Sequence, residues 1–449
     1  MWRRIIYRLA LIVPITFSIL FITLFLFYTL PGVHVLDSRE LQVGSERELI
    51  LTLRLQEQQN PFAYNRGLFY IGIYAGYLPL RRDHIPLMFH ASFHSLCKDI
   101  RNPHVMNDYA EWVREQLGDF TSSSGSGLSA HQFVQILKAQ NRMEFLAVMQ
   151  TVDPEVVPPV WKRVVKAPVA DDISLLNISW NGKHNIFHSY LNAIFFGDPA
   201  LHTSSGELVQ TKFGRTVWWT LAYTLPALLG GWLIVYVFML LNYDRPGRLQ
   251  RINRLTLVVY SVPTFVLATL ALVFLTSHRY GVISSLFPFP VFVENRVQGL
   301  FDIYRYYGAH LILPMLLFAL SPMLLLFRIF HEKMEEVRRV RPSFRYLRHL
   351  GLPDRTFRLR YLSRYLLVAG LAVLSNIIIA LLGGSLVIEW IFNIPGLGRY
   401  LYQSIINYDV PSTVFLVVVF TIVQQVGHIL TDLLIDLFSP SSSKTEGLL

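Results

Sequence analysis

The feature that most constrains this chain is a set of long apolar runs with almost no charge. A helix needs about 20 mostly apolar residues to cross a hydrocarbon layer about 30 Å thick, because each residue rises about 1.5 Å. Runs of this kind cover residues 9–30, 217–241, 255–276, 309–330, 366–392 and 412–438. They predict an all-α integral membrane protein with six transmembrane helices. Arg3, Arg4 and Arg8 precede the first run, which is too long for the apolar core of a signal peptide and is predicted to be an uncleaved anchor.

Composition supports a membrane protein, and the cysteine count and missing motifs limit the kinds of site that it can carry. Hydrophobic residues make up 53% of the chain and charged residues 16%, against about 25% charged residues in soluble domains. Cys97 is the single cysteine, which excludes an intrachain disulfide. The sequence has no G-x-x-x-x-G-K-S/T, H-E-x-x-H or C-x-x-C pattern. If ATP is used, another chain is expected to bind it.

The positive charge is concentrated in alternate loops. The net charge is +10, and Lys and Arg cluster before the first run, after the second and after the fourth. Cytoplasmic loops carry such an excess, so both termini are predicted to be cytoplasmic. The segment 31–212, with nearly equal numbers of acidic and basic residues, is then external. This distribution argues against nucleic acid as a partner and favours anionic lipid.

These patterns divide the chain into an N-terminal transmembrane helix (1–30), an extracytoplasmic insertion (31–212), a five-helix core (213–440) with a cytoplasmic loop at 331–365, and a tail (441–449). The insertion reads as a mixed, mainly helical soluble domain. Tyr109, Trp112 and Val113 share one helical stripe, and Ser129 is placed to cap a helix that carries Phe133.

The basic loop after the fourth run contains a predicted short helix over 343–350. Pro342 can start this helix and Gly351 can end it. A rigid surface helix between two spanning helices can transmit a push from a cytoplasmic partner. The alternative is a basic surface helix that serves only topology.

A second segment, near the end of the fifth run, combines glycines with a carboxylate. Gly383 and Gly384 permit close helix approach or a kink. Glu389 lies in an apolar run, where ionisable residues are costly and often functional. The alternative is a residue near the helix end that meets water or a helix N-terminus. The turn that follows must restart a helix, and it contains Pro395, Gly396 and Gly398.

Two clusters of ionisable residues leave alternatives open. His428, Asp432 and Asp436 lie one turn apart in the last run, which suits either a proton path or interhelical hydrogen bonds. In the insertion, the residues at positions 90, 94 and 97 (His, His and Cys) share a helical face. They are metal-capable types, but no fourth ligand is fixed by spacing. The ordinary alternative is a packed or solvated face, so no metal site is predicted.

Taken in order, several short motifs resemble the inner-membrane permeases of dipeptide, oligopeptide and nickel ABC importers. The run E-W-I-F-N-I-P-G-L-G-R at 389–399, followed by D-V-P at 409–411, carries the resemblance. P-T-F at 263–265 and H-L-I-L-P at 310–314 fit the same order. The resemblance covers about the first 30 residues and positions 185–440.

The resemblance implies a type I ABC importer permease fold in a bacterial inner membrane. It implies a second permease subunit, two cytoplasmic ATPase subunits that bind ATP, and an extracytoplasmic solute-binding protein. This chain would be no enzyme and would carry no cofactor. The implied ATPase-coupling residues are Arg345, Leu347, Arg348, His349, Gly351 and Leu352. The implied motif and pathway residues are Gly383, Gly384, Glu389, Pro395, Gly396, Gly398 and Asp409.

The sequence departs from the family pattern in several places. The family's Ala-Arg-Ala-Lys-Gly reads Leu-Arg-His-Leu-Gly at 347–351, and the insertion is far longer than usual. A second hypothesis is therefore a non-importer ABC-type complex, for export or envelope assembly, that uses the insertion as an interaction domain. A membrane enzyme is the third class, for which only the histidine face of the insertion offers a hint.

Overall fold

The structure, a computed structural model, describes most of the helical parts of the chain. The described residues are 2–29, 68–75, 85, 89–119, 129–154, 156–168, 176–180, 182–183, 185–197, 200–203, 205–276, 286–293, 299–339 and 353–438. They fall into two compact units. Unit A comprises Met1–Ile19 and His202–Leu449, and unit B comprises Leu20–Leu201. The division falls within the first helix, α1 (Trp2–Thr29).

Unit B contains a group of five helices around one buried core. The helices are α2 (His90–Ile100), α3 (Pro103–Asp119), α4 (Ala130–Lys138), α5 (Arg142–Gln150) and α6 (Pro159–Lys166). Trp161 is fully buried at the centre of this core. Its ring meets Trp112 edge-on at 5.4 Å and Phe145 at 5.9 Å between ring centroids. Burial of these large rings provides most of the apolar contact that holds the five helices together.

Local signals set the starts of two of these helices. The Ser129 hydroxyl accepts a hydrogen bond from the Gln132 N–H at 3.2 Å, and the Gln132 side chain accepts one from the Ser129 N–H at 3.1 Å. This capping box begins α4. Asn141 caps α5 through the Glu144 N–H. The predicted cap at Ser129 is confirmed, as is the buried stripe on α3.

A two-stranded antiparallel ribbon and a seventh helix complete the described part of unit B. Strand β1 (Ile71–Ala75) pairs with β2 (Leu176–Trp180), with Ile71 opposite Trp180. Helix α7 (Ile186–Phe196) is capped by Asn185, whose side-chain oxygen accepts from the His188 N–H at 2.7 Å. It ends at Gly197, where φ is 75°. Glycine adopts this left-handed conformation without the steric cost of a Cβ.

Unit A is built from long helices. They are α8 (Val209–Leu241), α9 (Pro246–Tyr260), α10 (Thr264–Thr276), α11 (Leu300–Arg339), the short α12 (Asp354–Thr356), α13 (Ser363–Ile391), α14 (Leu397–Ile406) and α15 (Val410–Phe438), with a π-helical turn at Phe357–Leu362 before α13. Within the described residues, four helices are long and apolar enough to cross a membrane: α1, α8, α11 and α15. Counting the bent pair α9–α10 as one span gives up to five.

The predicted third span, 255–276, is not one straight helix. The chain bends by 87° between α9 and α10. Pro263 lies at the break, and proline disfavours helical geometry in the residue before it and has no N–H to donate. Hydropathy alone did not indicate this bend, because it does not register the backbone geometry that proline imposes.

The predicted fourth span, 309–330, is much shorter than the helix that contains it. Helix α11 has 40 residues and extends to Arg339. Its last turns are polar, and ion pairs spaced three or four residues apart stabilise them, among them Arg328 with Glu332 and Arg339 with Glu335. The first part of the predicted loop 331–365 is therefore a continuation of α11.

The buried thiol of Cys97 gives a direct test of the unit B core. Burial raises the pKa of this thiol well above its usual range. The reactive thiolate is therefore scarce in the folded protein, and we expect almost no maleimide labelling between pH 6 and pH 9. Trp161→Ala should weaken the core by about 3–5 kcal/mol and raise the labelling rate by about a hundredfold or more. Fast labelling of the unmodified protein would contradict this core.

Candidate functional site

The sequence motif at 389–399 folds into a tight corner between α13 and α14. Glu389 lies in the last turn of α13, and its side chain is completely buried. The chain then reverses through a turn in which Asn393 has φ of 56°. Helix α14 begins at Leu397, so the prediction that a helix restarts after this turn is confirmed.

The carboxylate of Glu389 accepts hydrogen bonds from two hydroxyls and a backbone amide. The Thr220 hydroxyl donates to Oε1 at 2.7 Å, and the Tyr223 hydroxyl donates to the same atom at 3.1 Å. The Arg399 N–H donates to Oε2 at 2.9 Å. The carboxylate thus joins α8, α13 and α14.

The Arg399 N–H belongs to the first turn of α14. The first N–H groups of a helix have no partner within the helix, and this end carries a partial positive charge. Glu389 therefore caps α14 from a neighbouring helix. The N–H of Leu397, which has no partner within α14, donates to the Thr220 hydroxyl oxygen at 2.8 Å. Of the two sequence interpretations of Glu389, the structure shows the carboxylate meeting a helix N-terminus.

Two glycines make the approach of α14 to α13 possible. A Cβ at Gly396 would lie 2.4 Å from the Glu389 carboxyl carbon. A Cβ at Gly398 would lie 2.6 Å from the backbone of Leu386. Any side chain at either position would push the helix away from the carboxylate. Pro395, between the turn and the first of these glycines, fixes φ just before the helix starts.

Asp409 forms a second cap at the start of α15. Its carboxylate accepts from the Ser412 N–H at 3.3 Å and from the Ser412 hydroxyl at 2.7 Å. The Tyr400 hydroxyl donates to the Ser412 hydroxyl at 2.8 Å, which links α14 to this cap. All three side chains are buried. The corner from Glu389 to Ser412 is thus one connected network, which we call the capping corner.

The sequence interpretation missed the two hydroxyl donors on α8. Neither Thr220 nor Tyr223 was predicted as a site residue. Their spacing of three residues places both on one face of a spanning helix, next to the buried carboxylate. A pair of polar residues at this spacing in an apolar run was the available signal. It could not identify Glu389 as the partner, since 166 residues separate Tyr223 from Glu389.

The structure describes only some of the remaining predicted residues. Those of the coupling segment lie outside the described residues: Arg345, Leu347, Arg348, His349, Gly351 and Leu352. Gly383 and Gly384 lie within α13, in a stretch whose side-chain surroundings are also outside the described part. Asp432 on α15 pairs with Arg8 on α1, an interhelical contact. In the part of the chain that the structure describes, no group of three His, Cys, Asp or Glu residues could hold a metal ion.

Comparison with known proteins assigns the part of the chain that contains the capping corner. Residues 243–444 match the family model described as the binding-protein-dependent transport system inner membrane component. Over these residues the chain is similar to that family. It is a family of transport permease components and not of enzymes. Glu389 and Asp409 lie inside the match, whereas Thr220 and Tyr223 precede it.

Relatives among characterised proteins agree with this assignment. A dipeptide transport system permease protein of Bacillus subtilis is 28% identical over 180 residues, which are 40% of this chain and 52% of the relative. A putative peptide transport system permease protein of Brucella abortus is 34% identical over 160 residues, 35% of this chain and 46% of the relative. The chain thus spans about half the length of the relatives it matches.

Removal of the Glu389 carboxylate should destabilise the membrane part of the protein. Glu389→Ala leaves buried N–H and hydroxyl donors without an acceptor, at about 1–3 kcal/mol for each unpaired group. Glu389→Gln keeps one acceptor oxygen and should lose less. Thermal unfolding of the detergent-purified protein, followed by tryptophan fluorescence, measures both losses. The matched control is Glu332→Ala on the exposed surface of α11, for which we expect a change within about 0.5 kcal/mol. Equal unfolding temperatures for the two alanine variants would contradict the role of Glu389 in the capping corner.

The glycine requirement gives an independent test. Gly396→Ala should lower the unfolding temperature, because the new methyl group overlaps the Glu389 carboxylate. Gly230→Ala on α8 is the control, since a Cβ there has no atom within 4 Å. Alanine favours a helix over glycine by up to about 1 kcal/mol, so the control should be neutral or stabilising. Equal midpoints for the two variants would show that α14 does not approach the carboxylate this closely.

Proposed function

We propose that this chain is a membrane-spanning permease subunit of a binding-protein-dependent ABC importer for peptide-like solutes. The observation that carries the proposal is the family match over 243–444, which contains the buried capping corner. The relatives from Bacillus subtilis and Brucella abortus are described as dipeptide and peptide permease proteins, which supports a peptide-like solute. Several long apolar helices supply the membrane setting.

The proposed topology has six spans with both termini in the cytoplasm. Four are α1, α8, α11 and α15, and the bent pair α9–α10 is the fifth. We propose α13 as the sixth, because its 29 residues are long enough to cross and its sequence is strongly apolar. The placement of Lys and Arg supports this orientation, which leaves the insertion between the first two spans on the outside.

We propose that ATP is bound by two partner ATPases and that a second permease subunit completes the pathway. The sequence contains no P-loop pattern, so the energy would enter through contact between chains. The segment proposed to receive it lies between the end of α11 at Arg339 and the start of α12 at Asp354. A solute-binding protein would deliver the solute from outside.

The polar extension of α11 supports a coupling role for this segment. Its ion pairs continue the helix beyond the apolar part of the span, so a displacement at its cytoplasmic end reaches the membrane through one rigid element. At the same end, Arg338 contacts the ring of Tyr243, with 4.9 Å between the guanidinium and the ring centroid. The Arg338 guanidinium also donates to the Tyr243 carbonyl. These contacts fasten α11 to the end of α8.

Gly351→Trp tests the coupling role in the reconstituted transporter. A bulky ring at this position should block docking of the ATPase while leaving membrane insertion intact. We expect loss of solute uptake, with ATP hydrolysis no longer stimulated by the loaded binding protein. Gly247→Trp, at an open position on α9, is the matched control and should retain most of the uptake. Normal uptake and normal stimulation of ATP hydrolysis in Gly351→Trp would refute the proposed coupling role.

The second candidate is a non-importer ABC-type complex for export or envelope assembly. The size and separate core of unit B favour it, because this unit could serve as an interaction domain. Purification of the intact complex in mild detergent distinguishes the two functions. An importer should bring two ATPases, a sister permease and a solute-binding protein. Recovery of envelope-assembly or export components without a binding protein would favour the second candidate.

A further inference from the structure

An aromatic cluster connects α7 to the C-terminal half of α1. The Phe69 ring stacks on Phe21 of α1 with 4.1 Å between ring centroids. Phe187, in the first turn of α7, meets Phe21 edge-on at 6.5 Å and Phe69 at 5.9 Å. All of these side chains belong to unit B. The start of α7 is therefore fixed directly against a helix that can cross the membrane.

The position of Phe21 within α1 sets the depth of this contact. The apolar stretch of α1 that can cross a membrane runs from Arg8 to Phe27. Phe21 lies six residues before the end of that stretch, which is about 9 Å along the helix. Side chains that pack against Phe21 therefore lie about 9 Å inside the end of that stretch, in the third of an approximately 30 Å hydrocarbon layer that is next to its surface, and α7 begins at that depth.

The surface beside this cluster exposes large apolar side chains. Phe196, at the end of α7, is 77% exposed, and Trp180, at the end of β2, is 74% exposed. Trp180 joins the cluster through Tyr70, whose ring lies 6.3 Å from it and 6.2 Å from Phe187. In water, exposed rings of this size are unfavourable. At a membrane surface, Trp and Tyr are preferred because one end of each side chain is apolar and the other is polar.

Two observations identify lipid as the occupant of this surface. Ring contacts lead from Trp180 through Tyr70 and Phe187 to Phe21 of α1, and the neighbouring Ile22 and Leu26 of α1 are about half exposed. Helix α7 has the sequence IFHSYLNAIFF, without a single Asp, Glu, Lys or Arg. A helix that lay wholly in water would expose charge on its outer side.

We propose that Trp180 and the C-terminal end of α7 rest in the outer interface of the bilayer and anchor unit B to the lipid surface. The insertion is then held beside the membrane by α1 and by this second contact. The anchor restricts the tilt of unit B relative to the bilayer and keeps its five-helix part on the aqueous side.

Nitroxide labels at single introduced cysteines test the anchor in the full-length protein in phosphatidylcholine liposomes. The variants are Phe196→Cys and Trp180→Cys, with Met143→Cys on α5 as the control. Met143 is as exposed as Phe196, at 75%, but its helix packs with the core helices of unit B. The buried Cys97 should take up little label, and the unmodified chain measures that background.

Collisions of the label with oxygen, which concentrates in lipid, and with a water-soluble nickel complex report its surroundings. We expect a several-fold higher ratio of oxygen to nickel collisions at position 196 than at 143, with position 180 in between. Nickel collisions at 196 as frequent as at 143 would overturn the proposal. A label at 196 shielded from both reagents would also overturn it, since that result indicates a protein partner on this surface.

Discussion

A carboxylate buried in apolar surroundings is stable only where donors surround it, and the capping corner is arranged around this requirement. The oxygens of Glu389 accept hydrogen bonds from two hydroxyls of α8 and from one backbone N–H group of α14. Because the donors come from separate segments, none of these helices can shift without leaving a polar group unpaired. The glycines at 396 and 398 follow from the same requirement, since they let the backbone approach the carboxylate.

The same rule explains how the non-helical turn between α13 and α14 is tolerated. The polar groups of buried irregular backbone must be satisfied by the protein itself. Here the end of α13, the turn and the start of α14 are bonded internally, and the Tyr400–Ser412–Asp409 chain carries the network into α15. In the proposed transporter the capping corner is a rigid element. The partner ATPases would instead act on the segment between α11 and α12.

Unit B contributes a different kind of stability. Its five helices enclose an aromatic core centred on Trp161 and cap their own ends, as in a water-soluble domain. Its ribbon and α7 instead present rings on the outside, beside the end of α1. This contrast within one unit is what a domain at a membrane surface requires, with a self-sufficient core and an apolar edge.

The sequence by itself indicated the membrane setting, a resemblance to a permease family and most of the helices. Apolar runs, Ser129 as a cap and the restart of a helix after Pro395 are local signals that a short window contains. Only the tertiary structure decided what Glu389 does, because its partners Thr220 and Tyr223 are far away in the chain. It also decided that the third apolar run breaks at Pro263 and that α11 continues to Arg339. In both cases backbone geometry and side-chain pairing, rather than hydropathy, set the helix limits.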